Sequence, residues 1–315
     1  METQQKQLRE TAKKLLAEKK VDLIIGYEAG TLPLRTRPTF IRQPNDAKRL
    51  IWNSNCENNL SNYLKTVKGK VGIVSKGCDT RSIIGFIKER QVDRENILII
   101  GIPCLGMIDR KKVGENLDGK ELLEGIEDGS QIILKGEGFK EKINKEKLLH
   151  ESCKSCKHRN PVLYDVLIGD KVPEQEVNEY SDVEEFASKS ADERWAYFNN
   201  ETSKCIRCYA CRNACPACYC PQCFVDESMP RWFGRTPNPS DTLIFHIVRA
   251  LHTAGRCVDC GACTRVCPMN VKLRVLNKKI ERDVKELFSY EVGINLEDLP
   301  PMATFKIDDP QEFIK

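Results

Sequence analysis

Apolar and polar positions along the first third of the chain predict a mixture of helix and strand. Residues 5–20 are rich in Lys and Glu and predict a helix, and the apolar run at residues 21–27 predicts a strand after it. The stretch at residues 31–44 contains Pro and Arg and predicts a loop, after which Ser54 or Asn55 is expected to cap another helix.

The clearest pattern in this half is a βαβ unit. Residues 71–75 and 97–101 are almost continuously apolar, as parallel strands covered on both faces are. Asp79 is expected to cap a helix that runs between them as far as Arg90. Strand, helix and strand in this order predict two parallel strands with a right-handed connection. Hairpin strands are expected around residues 130–136.

Two amphipathic helices are predicted in the second half of the chain. One begins at Ser240 or Asp241 and ends at Gly255, and the other covers residues 271–290. The apolar stripes expected to face the core are Leu243, Ile244, Ile247, Val248 and Leu251 in the first helix, and Leu273, Leu276, Ile280, Val284 and Leu287 in the second. The two histidines on the other face of the first helix, His246 and His252, are expected to be surface residues rather than ligands.

The composition changes this picture through cysteine. The chain has 315 residues and 16 cysteines, and its first residues lack the apolar core of a secretory signal. Residues 97–108, the longest apolar stretch, are too short and too interrupted by Gly and Pro to span a membrane. We therefore expect a cytoplasmic protein without membrane insertion, whose thiolates bind metal rather than form disulfides. The formal charge of +4 does not indicate nucleic-acid binding. If the cysteines bind iron–sulfur clusters as thiolates, the negative charge of those clusters offsets the positive charge of the chain.

Two runs of cysteines share the spacing C-x2-C-x2-C-x3-C-P, at residues 205–216 and 257–268. Two such runs are the signature of bacterial ferredoxins with two 4Fe–4S clusters, in which the fourth cysteine of each run binds the other cluster. Zinc ribbons use pairs of C-x2-C arms instead. We assign one cluster to Cys205, Cys208, Cys211 and Cys267 (set 1), and the other to Cys257, Cys260, Cys263 and Cys215 (set 2).

A third 4Fe–4S cluster is predicted at Cys78, Cys104, Cys153 and Cys156 (set 3). Cys78 and Cys104 follow the two predicted parallel strands, and open α/β sheets bind ligands at that carboxyl edge. The alternative is that these two cysteines are buried as small hydrophobic residues. Cys56 is the substitute if one member of set 3 is wrong.

Four cysteines remain without a clear assignment: Cys56, Cys218, Cys220 and Cys223. Together they would make a fourth set of four and a fourth cluster. A zinc site that joins the pair Cys153 and Cys156 to the pair Cys220 and Cys223 is also conceivable, although the separation of the pairs is long for a zinc ribbon. The sequence leaves this question open.

The motifs resemble a known family. Residues 205–223 and 246–261 are similar to the beta subunits of formate dehydrogenases, which are relatives of the beta subunit of the hydrogenase that reduces the deazaflavin coenzyme (coenzyme F420) of methanogens. Three further segments occur in the family's order: Gly77-Cys78-Asp, Gly101-Ile-Pro-Cys104 and Cys153-Lys-Ser-Cys156. The resemblance extends from about residue 71 to residue 288 and implies an iron–sulfur flavoprotein subunit with FAD and the third cluster. This chain has Asn53-Ser-Asn-Cys56 where the family often has Ser-Gly-Gly, and no G-x-G-x-x-G loop, so no flavin-contacting residue is identified.

These observations predict two domains. Residues 1–170 are expected to form an α/β domain with a parallel βαβ unit, like that of the hydrogenase and dehydrogenase beta subunits. The acidic residues 171–200 are expected to be a linker. Residues 201–290 are expected to form an α+β, ferredoxin-like domain with two 4Fe–4S clusters and a helical insertion, and residues 291–315 a C-terminal tail.

The predicted function is electron transfer in anaerobic metabolism, within a multi-subunit oxidoreductase. The chain would relay electrons through 4Fe–4S clusters between a catalytic partner and a second redox carrier. Its partners would be catalytic or flavin-containing redox subunits, with no nucleic acid. We predict no catalytic residue, because the sequence shows no nucleophile triad, general base or phosphate loop. The alternatives are a flavin-containing oxidoreductase subunit that itself reduces a soluble carrier, and a structural metal-binding module.

Overall fold

A mostly parallel sheet forms the centre of the N-terminal half. The computed structural model describes residues 2–305 and residue 307 of the chain. The strand order of this sheet is β2-β1-β3-β4-β8, and β2 is antiparallel to its neighbour. A second, antiparallel sheet has the order β5-β6-β7. The strands are β1 (Leu23–Ala29), β2 (Thr36–Ile41), β3 (Val71–Ser75), β4 (Ile97–Gly101), β5 (Glu124–Asp128), β6 (Gln131–Gly136), β7 (Phe139–Asn144) and β8 (Val166–Leu167).

Helices cover the parallel sheet and make up most of the C-terminal half. Their bounds are α1 (Glu2–Ala17), α2 (Gly77–Lys88), α3 (Arg110–Leu117), α4 (Glu151–Lys154), α5 (Ser181–Ala187), α6 (Ala191–Ser203), α7 (Ala210–Asn213), α8 (Pro239–His252), α9 (Ala262–Arg265) and α10 (Arg274–Phe288). The helix predicted after Ser54 is a 3-10 helix, Leu60–Thr66, and Asn59 rather than Ser54 or Asn55 caps it. Among the described residues, no helix combines the length and the apolarity needed to cross a bilayer.

The predicted βαβ unit is confirmed. β3 and β4 are parallel neighbours, with Val71 paired to Ile97, and α2 connects them. Every residue of β3 is buried. Asp79 is not the cap itself. It is the third residue of α2, where its carboxylate accepts a hydrogen bond from the backbone N–H of Lys76. The carboxyl ends of β3 and β4 therefore lie side by side, as the sequence predicted.

The loop predicted at residues 31–44 is wrong in its second half. This stretch contains β2, which pairs with β1 so that Tyr27 lies opposite Pro38. Proline lacks a backbone N–H and is tolerated on an edge strand, because one side of such a strand needs no partner. Ile41 fixes the strand in place, since its side chain is fully buried in the core of the sheet.

The acidic residues 171–200 are not a simple linker. They include α5 and the start of α6, and Val183 of α5 is fully buried. The charge of this segment is matched by α10, because Asp182 pairs with Arg274 and Glu179 pairs with Lys278. This acidic segment folds because basic side chains of α10 lie opposite its carboxylates. The predicted domain boundaries themselves remain a prediction.

The buried faces of α8 and α10 differ from the predicted apolar stripes. Ile247 and Leu251 of α8 are 41% and 54% exposed, whereas Phe245 and Arg249 are buried. In α10, Leu287 is exposed, and the residues that face inward are Asn277, Lys278, Glu281 and Val284. Both helices direct polar side chains towards the interior, because that interior contains cysteine loops and buried carboxylates rather than an apolar core.

The predicted tail, residues 291–315, is described as far as residue 305 and at residue 307. Its first residues are not loose. Val292 is buried, and its carbonyl oxygen accepts a hydrogen bond from Nε of Arg81 in α2. Residue 306 and residues 308–315 of the predicted tail lie outside the described residues.

Candidate metal centre

The cysteines of set 1 line a single pocket. Cys205, Cys208, Cys211 and Cys267 all border it, although Cys267 belongs to the second cysteine run. Backbone amides point at two of the sulfurs: Sγ of Cys205 accepts from the N–H of Arg207 at 3.4 Å, and Sγ of Cys267 accepts from the N–H of Val271 at 3.3 Å. The pocket therefore contains the crossed grouping that the spacing predicted.

The two cysteine runs have the same backbone shape. In the first run Arg207 and Tyr209, which flank Cys208, have left-handed φ values of 57° and 58°. In the second run Asp259 and Gly261, which flank Cys260, have φ values of 52° and 71°. Left-handed residues at both positions bend the chain sharply around the middle cysteine, and a short helix, α7 or α9, follows each bend. Three of the four residues are not glycine, so the loops impose this shape on residues that disfavour it.

Set 2 lies next to set 1. Cys215 lies close enough to Cys257 and Cys260 that thiolate charge on it would raise the pKa of both. Burial is the larger cause of both shifts, and it raises the pKa of Cys260 to about 12. Cys263 of set 2 also borders the pocket of set 1.

A buried arginine lies between the cysteines of both runs. Arg249 of α8 is 8% exposed, and its Nη2 donates to the carbonyl oxygen of Cys211 at 3.2 Å. Its Nε has no hydrogen-bond partner. Burial lowers the pKa of Arg249, but thiolate charge on the surrounding cysteines, first of all Cys215 and Cys263, outweighs burial and raises it. A buried cation needs nearby negative charge, and thiolates bound to metal would supply it.

The cysteines of set 3 also line one pocket. Cys78 is the second residue of α2, Cys104 follows β4, and Cys153 and Cys156 lie at α4. Sγ of Cys104 accepts from the N–H of Gly106 at 3.4 Å, and Sγ of Cys153 accepts from the N–H of Met107 at 3.4 Å. The carboxyl edge of the sheet thus brings together residues that are far apart in the sequence, and Cys56 is not among those that line this pocket.

The charges around set 3 are those that a thiolate-bound metal requires. Burial raises the pKa of Cys104 to about 12 and that of Cys156 to about 11, so the free thiols would stay protonated at neutral pH. Metal ligation needs thiolates, and a bound metal deprotonates them. Two buried cations, Lys76 and Arg265, border the same pocket and favour the anionic state.

The cysteine sets are not arranged around single ions. Within residues 2–305 and residue 307, no three His, Cys, Asp or Glu side chains gather closely enough to bind one metal ion. A single zinc ion would draw each sulfur to about 2.3 Å from itself.

The pockets follow one another through set 2. Cys263 of this set borders the pocket of set 1, and Cys260 borders the pocket of set 3. Arg265 lies at the second junction, since it borders the pocket of set 3 and its Nη1 donates to the carbonyl oxygen of Cys260 at 2.6 Å. Set 2 therefore lies between set 1 and set 3.

The cysteines that the sequence left open separate in the structure. Cys218, Cys220 and Cys223 line a cavity of their own, while Cys56 is fully buried in the core of the parallel sheet. Sγ of Cys56 accepts from the N–H of Asn53 at 3.5 Å, and burial raises the pKa of this thiol to about 12. The structure does not bring Cys56 to the other three. The pairs expected for a shared zinc site also border different pockets.

One of the two histidines departs from the expectation of a surface position. His246 is half-buried and borders the pocket of set 1, and burial lowers its pKa to about 4. His252 is exposed, as predicted, and borders the cavity of Cys218.

Sequence reasoning missed the buried cations Lys76, Arg249 and Arg265. Each lies one to three residues from a cysteine or on a helix between the runs, but no local pattern distinguishes an inward-pointing Arg or Lys from an exposed one. Their roles follow only from the packing of distant segments.

A cavity of about 740 Å³ lies beside the sets. It is bordered by Ser155, which lies between two cysteines of set 3, and by Thr264, which follows Cys263. Phe186 and Tyr197 provide aromatic surface, and the rest of the lining is mainly charged. Its volume is within the range of small-molecule and cofactor sites.

Comparison with known proteins identifies relatives along most of the chain. No protein-family model matches it. The F420-dependent formate dehydrogenase subunit beta of Methanocaldococcus jannaschii is 23% identical over 360 aligned positions, which cover 92% of this chain and 92% of the relative. The F420-dependent formate dehydrogenase 1 subunit beta of Methanococcus maripaludis is 23% identical and covers 92% of this chain and 90% of the relative. The chain resembles formate dehydrogenase beta subunits over nearly its whole length. The resemblance predicted from the cysteine motifs is thereby confirmed.

A solved structure is more distant. A chain of the F420-reducing NiFe hydrogenase complex from Methanosarcina barkeri aligns with a TM-score of 0.38 and 13% identity. The alignment covers 48% of this chain and 58% of that chain.

Proposed function

We propose that this chain is the iron–sulfur electron-transfer subunit of an anaerobic, multi-subunit oxidoreductase. It relays electrons between a catalytic partner and a second redox carrier. The observation that carries the proposal is the pair of cysteine-lined pockets of sets 1 and 3, which are joined by set 2: Cys263 borders the first pocket and Cys260 borders the second. The relatives of this chain are, by name, subunits of formate dehydrogenases, which supports a role as an oxidoreductase subunit.

Each set would hold one 4Fe–4S cluster. When bound, such clusters take up and release single electrons at potentials that depend on charge, burial and hydrogen bonds to sulfur. The chain controls all three of these quantities. Backbone N–H groups donate to Cys104, Cys153, Cys205 and Cys267, and buried cations lie beside the pockets.

The proposal includes a layout and partners. The α/β part, residues 1–170, holds set 3, and the ferredoxin-like part, residues 201–290, holds sets 1 and 2. The partners are catalytic or flavin-containing redox subunits of a hetero-oligomeric complex in the cytoplasm. In this proposal the chain itself provides conduction rather than bond chemistry.

The test is to purify the chain with its partners under anaerobic conditions and to measure iron, sulfide and zinc per chain. Three cubes correspond to about 12 iron and 12 sulfide. A colourless preparation with zinc in these pockets would contradict the proposal.

The large cavity favours a second candidate, a subunit that contains FAD and itself reduces a soluble carrier. A flavin in the cavity of about 740 Å³ would lie beside Ser155 and Thr264, next to sets 3 and 2. Denaturation of the same preparation distinguishes the two candidates. Release of about one flavin per chain supports the flavin-containing subunit, and release of none supports the relay alone.

A further inference from the structure

We propose that Cys218, Cys220 and Cys223 bind a fourth iron–sulfur cluster, with His252 as its fourth protein ligand. The inference extends the proposed function to a site that neither the ferredoxin spacing nor set 3 includes. All four side chains border one cavity of about 420 Å³. The cavity is separate from the pockets of sets 1 and 3.

The local packing directs the three cysteines into this cavity. Tyr219, which lies between Cys218 and Cys220, instead packs its ring edge-on against Phe86 of α2 at 5.9 Å between ring centroids. The guanidinium of Arg256 lies 5.3 Å from the centre of the Tyr219 ring. Tyr219 therefore holds the segment against the sheet domain's helix.

The other end of the cysteine segment is held by a turn and an ion pair. The N–H of Asp226 donates to the carbonyl oxygen of Cys223 at 2.8 Å. The side chain of Asp226 pairs with Arg212 at 2.7 Å. The thiols thus lie on a segment fixed at both ends.

The charges around the cavity favour an anionic occupant. Lys65, Arg212, Arg249 and Arg256 border it, against the single carboxylate of Asp226. Three thiolates, free or bound to a cluster, would balance this excess of positive charge. Nζ of Lys65 already lies 3.4 Å from the carbonyl oxygen of Cys218, where a bound anion would be within its reach.

The size of the cavity favours a cluster over a single ion, because about 420 Å³ exceeds the volume of one metal ion. His252 contacts the edge of Phe224, with ring centroids 5.1 Å apart, which holds the imidazole at the rim of the cavity.

The proposed site lies next to set 2. The backbone N–H of Cys218 donates to the carbonyl oxygen of Cys215, a member of set 2, at 3.1 Å. A cluster at Cys218 would therefore be a branch from set 2 rather than an extension of either end. Since imidazole ligands raise the potential of an iron–sulfur centre, this branch would have a higher potential than a cluster with four cysteines.

The test compares a triple variant with a matched control in the complete complex, purified under anaerobic conditions. Cys218→Ser, Cys220→Ser and Cys223→Ser together should lower the iron from about 16 to about 12 per chain, with the signals of the other clusters unchanged in low-temperature EPR. Cys56→Ser, which changes a cysteine outside all the pockets, should keep all the iron.

The outcomes separate this inference from the proposed function. If the wild type holds about 12 iron and the triple variant holds as many, the fourth cluster is overturned and the three-cluster relay stands. Loss of zinc instead of iron overturns it as well, as does loss of the set 2 signal, since Cys218 would then be a ligand of set 2. A wild type without iron overturns both proposals.

The role of His252 needs its own variants. His252→Cys should keep the iron of the fourth cluster and lower its midpoint potential, because a thiolate replaces a neutral imidazole. His252→Ala should lose the cluster or replace its EPR signal. An unchanged signal and potential in both variants would overturn His252 as a ligand.

Discussion

The two regions that gather cysteines are built on different principles. In the N-terminal region the members of set 3 come from α2, the end of β4 and α4, so a sheet must fold before they meet. In the C-terminal region three members of each set lie within one short run, and the fourth comes from the other run. One region places its ligands by a scaffold, and the other by the local shape of a loop.

The two regions also differ in the size of their apolar cores. The parallel sheet has a large apolar core in which Ile24, Ile73 and Ile99 are fully buried. The apolar cluster of the C-terminal region is small: Val258, Val284, Tyr290 and Val292. A region with little apolar burial needs another source of stability, and the clusters proposed for sets 1 and 2 would supply one. We infer that metal binds to a preformed site in the first region and helps to fold the second.

Removal of iron should therefore have the largest effect, and it should be confined to one region. After anaerobic chelation, amides of residues 205–288 should lose their protection from hydrogen exchange, because ligation and folding are coupled there. Amides of β1, β3 and β4 should keep theirs. Equal loss of protection in both regions, measured by mass spectrometry, would contradict the inference that only the C-terminal region needs metal to fold.

Single ligand variants should show the same contrast. Cys211→Ser should lose about four iron per chain and also disturb the other ferredoxin-like cluster, because the two runs exchange ligands. Cys104→Ser should lose about four iron and leave both ferredoxin-like signals intact. EPR with iron analysis checks this result. Full retention of iron in Cys104→Ser would support the alternative that Cys104 is a small buried hydrophobic residue.

The joint between the regions includes Arg274 of α10, whose Nη2 donates to Oγ of Ser155 beside set 3 at 2.9 Å. The Arg274 side chain is 11% exposed and pairs with Asp259 of the second cysteine run and with Asp182 of α5. Arg274→Met should destabilise the protein by about 1–3 kcal/mol, because the buried carboxylate of Asp259 loses its closest partner and keeps only Lys278 at 3.5 Å.

Lys279→Met is the control on the same helix. Its partner Asp283 is 37% exposed, and the expected cost is about 0–1 kcal/mol.

Unfolding by denaturant gives the free energy of unfolding of both variants. Similar costs for Arg274→Met and Lys279→Met would show that the buried pair does not hold the second run against α5.

The smallest effect is expected for Cys56→Ala. Cys56 contributes apolar burial to the sheet and is absent from all of the cysteine pockets, so this change should cost about 1 kcal/mol and no iron. Loss of iron together with stability would make Cys56 a metal ligand and would contradict its role as a buried apolar residue of the sheet.

Much of the fold was predictable where local patterns are strong. The apolar runs at β3 and β4 predicted parallel neighbours, and the structure has them in register. β2 was missed because Pro38 reads as a loop residue, although an edge strand tolerates it. The helices at residues 181–187 and 191–203 were missed because acidic sequence reads as linker until the basic face of α10 is in place.

The inward faces of α8 and α10 were not predictable from amphipathicity. That reasoning assumes an apolar interior, whereas Arg249 and Lys278 point towards sulfur and carboxylate. The apolar Ile247 and Leu251 are consequently left on the surface.

The sequence alone determined which cysteines are neighbours within each run, because a few residues between them leave the backbone little freedom. It also determined the resemblance to formate dehydrogenase beta subunits. Only the tertiary structure decided which distant cysteines share a pocket, that Cys56 shares none of them, and which cations face the sulfurs. Those relations depend on how sheet, loops and helices pack, and packing is a property of the whole chain rather than of any segment in it.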